Sequence, residues 1–242
     1  MKRCETVPIV PDSFLGGSAP RGPRLESLVL SNIPSPSLPK LLLSATHLVY
    51  FRLHIPHSGY FSPDSIVAAL STLTSLERLL LGFASPRSRP DPASQHPHPS
   101  TRSVLPVLTH FGIKGVTKYL DDLVTYIDTP QLNCLSITFF NDIGFDTPQF
   151  MQFICRTPML RVADKAHITR QDRAAKVKFS SQTSRYGEFQ VEILYSGLGW
   201  QISSLEQVCT SCLPPFYMLA DLYFHRGQDK HRGGRRRAAG GG

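Results

Sequence analysis

Apolar residues recur along this chain with one dominant spacing. Leu25-x-x-Leu28-x-Leu30, Leu48-x-x-Phe51-x-Leu53, Leu76-x-x-Leu79-x-Leu81, Leu108-x-x-Phe111-x-Ile113 and Leu132-x-x-Leu135-x-Ile137 are five copies, and their starts lie 23, 28, 32 and 24 residues apart. Side chains alternate between the two faces of a strand, so the last two apolar residues of each copy point one way and the residue between them points the other. The pattern predicts a half-buried strand at every copy. Between the copies the apolar period lengthens to that of a helix. Leu38 to Ala45 reads as a short one. Ser62-Pro63-Asp64 opens a second, with Ser62 as cap and Ile66, Val67, Leu70 and Leu73 on one face. Leu120, Leu123, Val124 and Ile127 form a third stripe, and Thr147-Pro148 starts a fourth with Phe150, Phe153 and Ile154 inward. Strand alternating with helix predicts parallel strands joined by right-handed crossovers.

A strand-plus-helix unit repeating at about 20–29 residues is the period of a leucine-rich repeat. One such unit cannot bury its apolar face alone, and stacking on its neighbours does so. The expected fold is therefore an α/β leucine-rich-repeat-like solenoid, a curved parallel sheet with helices on the convex side. Its expected extent is residues 25–225, after an irregular lead-in at 1–24. The 32-residue interval holds an insertion at 84–101 with five prolines, read as a disordered surface loop. After residue 156 the period blurs. A degenerate strand is expected from Leu160 toward Ile168, and a hairpin or elaborated repeat from the alternating runs 175–180 and 189–195. A helix capped by Ser203-Ser204 follows, and Leu219-x-x-Leu222-x-Phe224 closes as one more repeat strand.

Charge changes this picture only at one end. The formal net charge is +8, but residues 226–242 hold six cations against Asp229, which is +5 and leaves +3 for everything else. That Arg/Gly-rich tail is expected to be disordered, and the repeat array is expected to break off before it. The five cysteines are odd in number and widely spaced, and the first residues carry no apolar signal segment. Both point to reduced thiols in the cytoplasm or nucleus. No apolar run approaches the ~18 residues of a membrane span, so no membrane association is expected.

Certain stretches resemble the repeat region of fungal F-box/leucine-rich-repeat proteins. They are P-D-S-F-L-G-G-S-A-P-R with L-E-S-L-V-L, L-P-K-L-L-L-S-A-T-H-L-V, T-P-Q-F-M-Q-F-I-C-R-T-P-M-L and S-S-L-E-Q-V-C-T-S-C-L-P-P, covering roughly residues 11–224. The resemblance implies repeats that select the substrate of a cullin ubiquitin ligase, with a Skp-type adaptor docked on an N-terminal F-box. Nothing upstream of residue 25 reads as that helical module, so the adaptor is expected as a partner only if an F-box is supplied elsewhere.

Chemistry narrows to two constellations. Cys209-x2-Cys212-x12-His225-x5-His231 has the spacing of a C2H2 zinc finger, which would make the chain a nucleic-acid-binding protein. Against it, both thiols fall on the apolar stripe of a helical pattern, Pro214-Pro215 interrupts the segment, and Gly227 separates the histidines. Structural thiols are the preferred reading, with no metal, no cofactor and no nucleic-acid partner expected. Asp121-Asp122 is read as a solvated helix face. No G-x-S-x-G, phosphate-binding loop or H-E-x-x-H occurs, so no catalysis is expected. The second constellation is the strand face turned away from the core. There the second to fourth strands present Tyr50, Arg52, His54, Arg78, His110 and Lys114, a basic and partly aromatic groove suited to an acidic protein surface. Ordinary solvated strand residues are the competing reading.

Overall fold

The computed structural model describes residues 25–31, 38, 42, 45–55, 61–84, 102–140, 148–161, 164–171, 174–181, 188–194 and 221–226. The expected insertion at 84–101 lies outside these residues apart from Ala84, as do the lead-in at 1–24, the helix after Ser203 and the tail beyond Arg226.

Five strands form where the repeated spacing predicts them: β1 (Ser27–Ser31), β2 (Tyr50–Ile55), β3 (Arg78–Phe83), β5 (His110–Gly115) and β7 (Cys134–Phe139). Short strands β4 (Ser103–Val104) and β6 (Ile127–Asp128) pair only with each other. Then come β8 (Lys165–Gln171), β9 (Ala174–Ser180), β10 (Glu188–Leu194) and β11 (Asp221–Arg226). Nine strands join one open sheet in the order β1-β2-β3-β5-β7-β10-β9-β8-β11. Every neighbouring pair is parallel except the two that β9 makes, so β9 alone runs against the rest. The protein is thus a mixed α/β fold built on a large, mostly parallel sheet.

Register across the sheet is continuous, and that is why the alternation in the sequence becomes a core. Leu28, Phe51, Leu79, Phe111, Leu135, Phe189, Phe179 and Ala166 are successive cross-strand partners, and all of them are buried. Two residues further on, Leu30, Leu53, Leu81, Ile113, Ile137, Val191, Val177 and Ile168 make a second buried row. The entrance residues Leu48, Leu76, Leu108 and Leu132 lie in the same core. Each fully buried Leu or Phe contributes about 1.5–3 kcal/mol of transfer free energy, so the rows dominate the stability of the sheet.

Helices α1 (Pro63–Leu70), α2 (Thr117–Thr125) and α3 (Pro148–Arg156) cover this buried face. Tyr119 of α2 meets Phe83 edge-on with ring centroids 4.5 Å apart, and Phe150 of α3 lies 6.1 Å from Phe189. Phe150, Phe153 and Ile154 point inward as their spacing predicts. Ser62 does occupy the N-cap of α1, but its Oγ bonds the Ser65 Oγ at 2.7 Å and caps no backbone N–H. Ile127, expected on the α2 stripe, lies beyond the end of that helix and starts β6 instead. No helix among the described residues is long and apolar enough to cross a membrane.

Two expectations are corrected. Asp121 does not sit on a solvated face: it is 6 % exposed, and its Oδ1 accepts the Phe150 N–H at 2.8 Å. The α2 helix is packed by the sheet and also by α3, so the side of the helix that carries Asp121 is covered. Asp122 stays nearer the surface and pairs with Lys118 at 2.6 Å. The second correction is the degenerate strand expected to begin at Leu160. Leu160 ends a short 3-10 turn (Pro158–Leu160), the strand β8 begins only at Lys165, and it does not lie beside β7 in the sheet. The expected hairpin forms from β9 and β10, antiparallel with Val191 opposite Val177, and it places β10 beside β7. Phe189 is held there by Phe179, stacked at 5.3 Å, and by Phe150.

Candidate functional site

The face of the sheet opposite the helices carries the residues that alternate with the core rows. Cross-strand register arranges them as a lattice. One row runs Ser27, Tyr50, Arg78, His110, Cys134, Glu188. The next runs Val29, Arg52, Leu80, Gly112, Ser136, Gln190, and the third Ser31, His54, Gly82, Lys114, Thr138, Glu192. Strands lie ~4.8 Å apart and rows ~6.7 Å apart. All six residues picked from the sequence, Tyr50, Arg52, His54, Arg78, His110 and Lys114, therefore fall within one block of three strands and three rows.

Electrostatics differ between the two ends of this face. Among the described residues, Arg52 and Arg78 form no ion pair. The Lys114 Nζ lies 5.7 Å from the centre of the Phe140 ring, a cation–π contact that leaves its charge uncancelled. His110 is bonded through Nδ1 to the Thr109 Oγ1 at 2.8 Å. Burial and then the Arg78 guanidinium lower its pKa, while Glu77 opposes them. Its imidazole is accordingly a neutral hydrogen-bonding group near neutral pH. Toward the other end the charges cancel. Lys178 of β9 pairs with Glu188 at 2.9 Å, Lys176 stands opposite Glu192, and the Thr138 Oγ1 donates to Glu192 at 3.3 Å. Excess positive charge is thus concentrated on β2, β3 and β5.

Relief on this face depends on glycines. A Cβ on Gly112 would stand 2.4 Å from the Leu80 Cδ2, and one on Gly82 would stand 3.0 Å from the His54 Nδ1. Side chains of β2 and β3 lean over the glycine of the following strand. Gly112, expected to face solvent, is consequently buried beneath Leu80. The β7 residues Cys134, Ser136 and Thr138 are small and half-buried, as their composition suggests. Burial, and then Glu188, raise the Cys134 thiol pKa, so it is not an activated nucleophile.

The far half of the face was not identified as part of the site from sequence. The signal was present in the polar residues alternating through 174–180 and 188–194, but the strand order that brings Glu188 and Glu192 next to β7 was not. The zinc-finger alternative falls largely outside the description. Cys209, Cys212 and His231 are not among the described residues. His225 is, and it lies in β11, an extended segment paired with β8, where the finger would need a helix. Among the described residues no three His, Cys, Asp or Glu side chains converge on a possible metal position. No protein-family model matches the chain, and no curated protein or solved structure shows significant similarity to it.

Proposed function

We propose that this chain is a non-enzymatic protein-interaction module of the leucine-rich-repeat type, and that it binds an acidic segment of a partner protein across β2, β3 and β5. The observation that carries the reading is the set of uncompensated cations, Arg52, Arg78 and Lys114, held in register on a rigid sheet face. The sheet fixes the spacing between the cations, and their field speeds encounter with an acidic partner. The recurring spacing and the parallel pairing of β1 to β7 support the repeat assignment. In the role that the F-box resemblance implies, this face selects the substrate of a cullin ligase, and a Skp-type adaptor is engaged only where an F-box is present.

The test is binding of a fluorescein-labelled oligoglutamate peptide by anisotropy, with an oligothymidylate of equal charge as comparator. Exposed ion pairs contribute about 0.2–1 kcal/mol each, and reversal replaces attraction with repulsion. The Arg52→Glu/Arg78→Glu double variant should therefore weaken peptide binding by ~10- to 100-fold, and binding to the unmodified chain should fall as salt rises. Peptide binding that survives the double reversal unchanged overturns the reading. So does a marked preference for the oligothymidylate, which would transfer the chain to the nucleic-acid class.

A further inference from the structure

We infer that the acidic partner segment carries an apolar anchor residue, and that Leu80 together with Gly112 forms the seat for it. The inference rests on the acidic-segment reading above and adds a specificity determinant. Leu80 is the central position of the block. Its register partners are Arg52 on one side and Gly112 on the other. Arg78 and Gly82 lie two residues before and after it on its own strand, on the same face.

Three features make this position a seat. First, Leu80 is half-buried at the middle of a face whose surrounding positions are polar, charged, aromatic-polar or glycine, so it is the one aliphatic spot inside the cationic block. Second, glycine on β5 lets Leu80 lie flat. Its Cδ2 occupies the space a Cβ on Gly112 would need, so the leucine spreads across two strands instead of standing upright. Third, Gly82 lowers the adjacent row in the same way, with the His54 ring laid over it. The result is a shallow apolar floor with charged groups at its margin. Interfaces concentrate their affinity at such a place, where a central apolar contact is sealed by a polar rim that excludes water. A partner of acidic residues alone would leave the floor wet. A partner with a leucine or comparable side chain flanked by carboxylates fills it while meeting Arg52, Arg78 and Lys114.

Two acetylated, labelled peptides test this, Glu-Asp-Glu-Leu-Glu-Asp-Glu and the same sequence with serine at the centre, each titrated into the full chain and into Leu80→Ser. Leu80 lies on the face opposite the buried Leu79 and Leu81, so the substitution leaves the buried rows intact, and circular dichroism checks that it does. The expected result is about a ten-fold preference of the unmodified chain for the leucine peptide, the size of partial burial of one such side chain. The preference should vanish in Leu80→Ser while the serine peptide still binds. Equal binding of both peptides to the unmodified chain overturns the anchor and leaves the acidic groove standing. Absence of binding by either peptide overturns both. Loss of both peptides in a folded Leu80→Ser chain overturns the anchor as well, because Leu80 would then be shaping the face and not contacting one residue.

Discussion

The buried carboxylate of Asp121 should respond very differently to two substitutions, alanine and asparagine. Asp121 lies within α2, yet its Oδ1 serves α3, accepting the N–H of Phe150 at 2.8 Å. That N–H is in the first turn of α3, where no intrahelical acceptor exists. Burial raises the pKa of the carboxyl above the usual aspartate range, against the opposing pull of the Phe150 N–H and of Lys118. The charge therefore costs stability, while the hydrogen bond needs only an acceptor oxygen. Asp121→Ala removes the acceptor and strands a buried N–H, which costs about 1–3 kcal/mol. Asp121→Asn keeps an acceptor for Phe150 and removes the desolvated charge, so it should cost clearly less than the alanine variant. The pH dependence follows from the direction of the shift. A carboxyl whose folded-state pKa is raised holds its proton more tightly when folded, so its contribution is fully favourable below the unfolded value and is lost as pH rises through the folded value. The balance between asparagine and aspartate should accordingly move in favour of aspartate as pH falls from neutral into the carboxylate range. Urea unfolding followed by circular dichroism, at neutral and acid pH, measures both effects. An asparagine variant as damaged as alanine at neutral pH would refute the argument, as would an asparagine advantage that grows with acid.

Two further expectations concern the glycines and the thiols. Gly115→Ala should cost about 1–3 kcal/mol in urea unfolding, because its Cβ would meet the Phe83 Cδ2 at 3.0 Å and that ring is pinned against Tyr119. Gly112→Ala meets an even closer atom, yet Leu80 lies on the open face and can rotate away, so its cost should be the smaller of the two; the reverse ranking would refute this. Under limiting iodoacetamide at neutral pH, peptide mapping should find the exposed Cys155 alkylated well before Cys134, whose thiol is half-buried and has a raised pKa. Faster modification of Cys134 would contradict the direction of that shift.

The faces of β1, β2, β3, β5 and β7 were legible in the chain because strand alternation is local. A leucine two residues from another on a strand shares its face whatever the rest of the protein does, so Leu28/Leu30 through Leu135/Ile137 and the outward Tyr50, Arg52, His54, Arg78, His110 and Lys114 could be read directly. Parallel order among them followed from the helical segments between them. The order beyond β7 could not be read, since an alternating strand such as β10 carries no mark of its neighbour. Long-range pairing puts it beside β7, with Phe189 packed against Phe179 and Phe150, and β8 two places further out. The burial of Asp121 is hidden in the sequence for a related reason: its own helix says nothing about a second helix arriving to cover it. The site was half legible. Sequence determined which side chains stand on the open face and what charge they bring. Tertiary structure decided that the charges of β9 and β10 cancel, that those of β2, β3 and β5 do not, and that Leu80 lies down over Gly112. Those outcomes depend on which strands become neighbours, and cross-strand contact is fixed by long-range burial and not by the local period.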